Sequence, residues 1–425
     1  MKQAFKKAWQ WVPSLYFAQG FPYILVIIVS TVIYKNLGLT NSQITFYTGW
    51  FYLPWVIKPI WSPFIDHIRT KRFWVITTQI VIGAMLAAIG LTLPLENYLK
   101  WSIIFFWLIA FSSATHDIAA DGFYMLGLND HLQSYFVGIR STFWRVASIA
   151  GQGGLVFLTG LLMKNDMPPA HAWMLVLMGA GAIYLAIGFY HKFVMPKPAA
   201  DPERKLSNGK EAIIEYFRTF ISFFKRKNIW VFVLFVLFYR LGEAQLTKLA
   251  APFLLDSKEA GGLALNNEQV GWAYGTIGVI GLVIGGVLGG MAAAKHGLKY
   301  WIWPMALAMK LPDLAYVFMA STHPENIVLI QSMIAIEQFG YGFGFTAFML
   351  YLIYFVQGQN QTSHYAIATG IMALGMMVPG MISGWIQEQL NYQFFFIWVL
   401  ICTIPGLAMI PFLKIDKDFG KKKTE

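Results

Sequence analysis

Residues 113–154 read SATHDIAADGFYMLGLNDHLQSYFVGIRSTFWRVASIAGQGG, two apolar arms around a polar turn, with Asp117, Asp121, Arg140 and Arg145 inside the arms. An Asp or Arg near a bilayer centre costs at least about 2.5–3.5 kcal/mol, so such residues usually face a cavity or a partner. If 110–125 runs down to the cytoplasmic face and 135 onward climbs back, a rise of about 1.5 Å per residue sets Asp117 and Arg145 at one depth, with Asp121 and Arg140 matched nearer the surface. The carboxylates share a helical face, and the arginines nearly do. Two readings follow: a structural ion-pair ladder between neighbouring helices, or a ladder that breaks and reforms during a transport cycle.

Working outward, composition makes this a polytopic membrane protein. Hydrophobic residues are 57% of the 425 and charged residues 12%, with mean hydropathy +0.54, against about 25% charged in soluble domains. Apolar runs of spanning length recur from residue 9 to 413, leaving little chain for a soluble domain. They are continuous instead of alternating, which selects helices over a β-barrel. The fold class expected is an all-α membrane protein.

A net charge of +11 raises the question of nucleic acid, but the basic residues sort by loop. Twenty-two fall in alternate segments: Lys2–Lys7, Arg69–Arg72, 192–227, Lys295–Lys299 and 414–423. Only Lys35, Lys100, Lys164 and Lys258 occupy the intervening ones. This positive-inside pattern puts both termini and the central loop in the cytoplasm, excludes nucleic acid as the reason for the charge, and requires an even number of spans. Cys402, the single cysteine, lies in an apolar run and forms no intramolecular disulfide. The basic start resembles that of a signal peptide, but the stretch is long enough to span and no small-residue cleavage site follows, so it is expected to be the first helix.

Twelve spans are expected, at about 9–35, 42–62, 73–93, 101–127, 134–162, 171–194, 229–255, 268–294, 299–320, 326–356, 361–387 and 391–413. They form an N-terminal half (1–194) and a C-terminal half (229–425) joined by a basic, proline-bearing linker (195–228). The part of that linker from Ile213 to Phe224 has the composition of a helix lying on an anionic leaflet. Two halves of six invite a search for internal symmetry. It is weak but present: FAQGFP (17–22) and FYRLG (238–242) match in depth, and SPFIDHIRTKR (62–72) corresponds to GGMAAAKHGLK (289–299). The loop 62–72, with Asp66 as the acid and Lys71 and Arg72 as the basic pair, resembles the cytoplasmic gate loop of the major facilitator superfamily.

Further intramembrane charges are Lys58, Arg240, Glu243, Lys248, Lys310, Asp313 and Glu337. Arg240 with Glu243, and Lys310 with Asp313, stand three apart and can partly neutralise each other within one helix. Glu337 has no such local partner and begins a glycine-rich run, EQFGYGFGF. Glycines there permit bending or close helix packing, and packing alone explains them as well as function does. A carboxylate without a local partner beside a pliable helix is also what proton coupling needs, with Arg240 able to gate it by moving. Polar and aromatic residues that could line a cavity are Tyr16, Gln19, Tyr23, His116, Trp144, Gln152, Gln245, Trp272, Tyr274, Gln338 and Tyr341. Aromatic faces stack on sugar rings, while amides and charges bond hydroxyls and carboxylates. Many of the chain's other aromatics are interface anchors.

An enzyme is not expected. No Walker loop, Ser-His-Asp set or cysteine cluster is present, and the adjacent His116 and Asp117 diverge on a helix, a poor start for a metal site. No metal or cofactor is called for.

Recognition adds to this. ATHDIAADGF (114–123) resembles the fourth-span signature of the AmpG-type permeases and the acetyl-coenzyme A transporters, with His116 where Gln is usual and Tyr124 where AmpG-type members often carry a basic residue. FYRLGEA (238–244) is similar to the group's seventh span, EQFGYGFGFTAF (337–348) to its tenth, and FAQGFP fits its first. The resemblance implies a major facilitator fold, working as a monomer in the bacterial inner membrane. It also implies proton-driven import of anhydromuropeptide or a related amino-sugar saccharide, and it points to Asp117, Asp121, Arg240, Glu243 and Glu337. Another oligosaccharide, or an acyl-coenzyme A or nucleotide-like anion, stays open as the substrate.

The topology has a direct check. Ser207→Cys in a Cys402→Ala background is expected to resist impermeant maleimide added outside intact cells and to react after permeabilisation. Labelling from outside would reverse the orientation.

Overall fold

The computed structural model describes residues 2–128, 130–198, 201, 209–357 and 361–421. Ser207 and the rest of the linker's polar stretch, 199–200 and 202–208, lie outside the described residues. Helix is the only regular structure among those described, as a chain this apolar requires. Among the described residues, nine helices are long and apolar enough to cross a membrane. The last of them, His364–Phe412, is two helices, divided at Asn391 (φ 60°, ψ 174°). Among the described residues, three of the expected spans are not continuous. The second is Asn41–Trp50 followed by Leu53–His67, with Pro54 in the opening turn of the new helix, where a missing N–H does no harm. The ninth is Leu298–Lys310 and Leu314–Thr322, separated by a 3-10 turn over Leu311–Asp313, because Pro312 cannot continue the hydrogen-bond ladder. The seventh is interrupted too: Ile229–Tyr239 and Leu241–Leu255 meet at Arg240, whose φ of −106° and ψ of 12° are not helical.

Local signals account for where helices begin. Thr40 with Gln43, and Asn266 with Gln269, form capping boxes, each satisfying two backbone donors reciprocally. Asn326 caps the tenth span by accepting from the Val328 and Leu329 amides. Pro169 occupies the first turn of the sixth.

The chain forms two compact units, Met1–Leu37 with Ile57–Tyr216, and Gly38–Val56 with Phe217–Glu425. In the first, Trp11, Val12, Leu15, Ile65, Val75, Ala119, Phe123 and Phe136 are the buried core. In the second, one cluster is built on Phe232, Phe235, Tyr239, Met305, Phe348 and Tyr351, and another on Leu249, Phe253, Tyr316, Tyr392 and Phe396. The short segment 38–56 packs within the second unit. Asn41 donates to Gln387 Oε1 (2.7 Å) and the Tyr392 hydroxyl (2.8 Å), and Tyr392 donates to Asp256 (2.6 Å). Ser42 engages Glu388 through both backbone N–H and hydroxyl. Large apolar side chains such as Ile183, Phe193, Trp230, Val287, Met291 and Trp385 are exposed, while Gln79, His116, Glu243, Lys248, Lys310, Asp313 and Glu337 are buried. That inversion of the soluble pattern suits a lipid solvent.

The glycine run of the tenth span is a packing device. A Cβ at Gly340 would fall on the Ala308 carbonyl of the ninth span, and one at Gly342 on the Leu282 carbonyl of the eighth. These are close backbone approaches of the kind small residues permit in membranes. Gly340→Ala should therefore destabilise by about 1–3 kcal/mol through overpacking, while Gly290→Ala, at a position with nothing within 4 Å, should be near neutral. Thermal unfolding in detergent checks both, and equal melting of the two variants would refute the close approach.

Candidate functional site

Each unit carries its own set of intramembrane charges. In the first, Arg140 donates to Asp121 at 2.9 Å, Tyr16 donates to the same oxygen at 3.2 Å, and the guanidinium sits over the rings of Tyr16 (4.4 Å) and Tyr124 (5.0 Å). Asp117 lies 3.8 Å from Lys58, a residue noticed in the sequence but not assigned to the site. These charges are partly exposed. Nearby, Tyr23 packs at a tilt on Trp144 (6.0 Å), Gln19 is buried, and Gln152 lies in a π-helical turn, Ile149–Leu155. π turns often mark functional positions in helices.

His116 is fully buried in a string that sequence spacing did not reveal. Its Nε2 is 2.9 Å from the Gln79 amide, the Gln79 oxygen is 2.8 Å from His191 Nδ1, and His191 Nε2 is 2.9 Å from the Ser14 hydroxyl. The members come from the first, third, fourth and sixth spans. At the expected gate loop, Asp201 accepts from the backbone amides of Lys71 (2.8 Å) and Arg72 (3.1 Å), and Arg72 reaches the carbonyls of Met195 (3.1 Å) and Lys192. Asp201 thus joins Thr70 in capping the third span, an anionic group where the helix dipole favours one. The Asp66 side chain lies outside those described.

In the second unit the charges converge. Carboxylate oxygens of Glu243, Asp313 and Glu337 all lie within 4.8 Å of one another. Lys310 is within electrostatic reach of all three and of Arg240. All five residues are buried. Arg240 donates to the Tyr341 hydroxyl (2.7 Å) and lies over Phe345, and Lys310 Nζ is 5.3 Å from the Tyr239 ring centre. Gln338 donates to Glu337 (3.0 Å) and is 3.4 Å from the Tyr274 hydroxyl, and Thr247 donates to Glu243 (3.0 Å). Helix breaks bring this about. Arg240 occupies the break in the seventh span with Glu243 in the first turn beyond it, and in the ninth Lys310 precedes the 3-10 turn of which Asp313 is the last residue. The close approach at Gly340 brings the tenth span, and with it Glu337, against the ninth.

Other expected residues lie apart from this cluster. Gln245 bonds Trp398 (2.9 Å) and approaches Cys402 Sγ (3.4 Å) in the twelfth span, and Trp272 is half exposed. Lys248 is taken up by the Thr48 carbonyl (3.1 Å) and hydroxyl (2.9 Å). Tyr316, buried with its hydroxyl unpartnered, stands within electrostatic reach of Glu243, Asp313 and Glu337. It was missed because a lone tyrosine in an apolar run carries no sequence signal. With a lysine and an arginine beside the three acids, the set is better suited to exchanging a proton than to holding a multivalent ion.

Helices broken at buried charges, inside a bundle whose outer face is apolar, define a membrane transporter. The Major Facilitator Superfamily profile matches residues 14–359, and the chain belongs to that family. Among its relatives, the anhydromuropeptide permease of Escherichia coli (strain K12) is 23% identical over 401 residues, covering 93% of this chain and 77% of the relative. The putative transporter AmpG 4 of Rickettsia conorii is 21% identical, covering 93% of each chain. In fold it is similar to the nucleoside transporter NupG, at a TM-score of 0.72 and 12% identity over 96% of this chain and 100% of that one. A bacterial homologue of the lysosomal transporter Spinster gives a TM-score of 0.70 at 15% identity, over 96% of this chain and 97% of that one.

The Asp121–Arg140 pair is partly exposed, so its coupling should be modest, about 0.2–1 kcal/mol. A double-mutant cycle on thermal stability with Asp121→Asn and Arg140→Gln measures it. Strictly additive losses would show the two charges to be energetically independent.

Proposed function

We propose that this transporter is a proton-coupled importer of anhydromuropeptide, or of a related amino-sugar saccharide, across the bacterial inner membrane, working as a monomer with both termini in the cytoplasm. The observation that carries the coupling is the buried cluster of Glu243, Asp313 and Glu337 against Lys310 and Arg240. A carboxylate there must change partner or protonation whenever its surroundings move. The substrate class rests on the named relatives and on charge. The first unit's intramembrane residues Lys58, Arg140 and Arg145 outnumber Asp117 and Asp121 by one, and its pairs are partly exposed, a disposition that suits an acidic solute. Tyr23 and Trp144, both half-buried, supply aromatic surface for sugar rings.

Counterflow in proteoliposomes, with anhydromuropeptide, chitobiose, simple disaccharides and acetyl-coenzyme A as the panel, tests the substrate. Exchange is expected with anhydromuropeptide or chitobiose. A response to acetyl-coenzyme A alone would transfer the protein to the acyl-coenzyme A class. With the substrate so identified, Glu337→Gln should abolish uphill uptake driven by a pH gradient while leaving exchange largely intact, because exchange requires no net proton movement. A Gln variant that still concentrates substrate at the wild-type rate would make Glu337 a packing residue.

A further inference from the structure

The cluster in the second unit has a charge imbalance that sequence pairing hides. Arg240 with Glu243, and Lys310 with Asp313, count as two neutral pairs, but Glu337 joins the same group, making three acids against two bases. Among the described residues, the further titratable and polar side chains that meet the three acids and Lys310 are neutral. Tyr239 and Thr247 come from the seventh span, Tyr274 from the eighth, Tyr316 from the ninth, and Gln338 and Tyr341 from the tenth. Trp398 and Cys402 of the twelfth span meet Gln245, and Lys248 donates to Thr48. A second observation marks the centre of the group as incomplete. Both oxygens of Asp313, Oε2 of Glu243 and Nζ of Lys310 have no hydrogen-bond partner, although these residues are only 1–3% exposed. Buried donors and acceptors of this kind are nearly always satisfied, and a net charge in a low-dielectric interior is strongly disfavoured.

We infer that Glu243, Asp313 and Glu337 together hold one proton, shared among them, and that Lys310 and Arg240 set the number at one. The proton gives one carboxyl an O–H that donates to a neighbouring carboxylate oxygen, answering orphaned acceptors and bringing the group to neutrality in a single step. No one of the three acids owns it. Releasing it leaves one negative charge, so release must accompany entry of water or approach of another cation. The inference rests on the proton-coupled reading above and deepens it, since it assigns Glu243 and Asp313 to the same site as Glu337 and gives Lys310 the role of counter-charge.

Infrared difference spectroscopy of the full-length protein in lipid nanodiscs tests this without any substrate, through the carbonyl stretch of protonated carboxylic acids near neutral pH. Wild type should show one such carboxyl more than Glu243→Gln, Asp313→Asn or Glu337→Gln, each of which leaves two acids against two bases. Lys310→Met should double the band and Lys310→Arg should leave it unchanged. Lys310→Met with Glu337→Gln should return it to the wild-type intensity, an outcome that a merely structural role would not produce. If a single variant fails to fold, the two remaining acid substitutions still decide the question. The inference is overturned if the band survives in any acid variant that folds, if Lys310→Met adds nothing, or if sodium chloride, but not choline chloride, removes the band from wild type and so makes sodium the occupant. A protein that shows the band yet fails counterflow would refute the transport substrate and not the shared proton. Counterflow without the band would do the reverse.

Discussion

Five ionisable side chains, three acids and two bases, buried together at membrane depth are the constraint to which the second unit is built. Burying even a well-made ion pair brings little net stability, because the desolvation of both partners consumes most of the Coulomb attraction, and an uncompensated charge is worse by several kcal/mol. Five ionisable residues within a buried group are therefore retained against stability. The helices that carry them show it: the seventh span breaks at Arg240 and the ninth at Leu311–Asp313. Each break exposes backbone polar groups in a setting where lipid cannot satisfy them. Such irregular backbone is tolerated at membrane depth when it is enclosed by protein, and the ninth span's break is enclosed on the tenth span's side at Gly340, which lies against Ala308 and Pro312. The glycine run and the acids are thus parts of one arrangement, in which small residues let the spans close enough for side chains from separate helices to meet.

Much of this was legible in the chain. Helical class, multiple spans and their approximate limits follow from apolar run length, and the tenth span, expected at 326–356, is Ile327–Val356. Family membership was readable from ATHDIAADGF, FYRLGEA and EQFGYGFGF. Interruptions were harder. Pro54 and Pro312 were visible in sequence, yet hydropathy averages across a break, so 42–62 and 299–320 read as continuous. The departure at Arg240 has no proline to announce it.

What spacing could not show was convergence between helices. Within one helix, i to i+3 pairing is a matter of counting, and it led to Arg240 with Glu243, Lys310 with Asp313, and a solitary Glu337. Whether three helices bring these onto one spot depends on rotation and depth, which only packing sets. The same limit hid the string of Ser14, His191, Gln79 and His116, whose members lie far apart in the chain. It hid Asp201 as well, because a capping group from a distant segment looks, in sequence, like one more acid in a polar linker.

The two units handle charge in different ways, and exposure is what separates them. In the first, Asp121 with Arg140 and Asp117 with Lys58 remain between about a sixth and a half exposed. Water keeps screening them, their pairing is worth little, and exchanging one partner for another costs little. In the second, Lys310, Asp313 and Glu337 are sealed, so any change in their company is expensive unless a proton moves with it. A group that is cheap to rearrange suits contact with a solute that comes and goes. A group that is costly to rearrange suits the step that has to be tied to a driving ion. The distinction follows from desolvation alone: a sealed carboxylate cannot change its company without a proton or a counter-charge, and one that water reaches can.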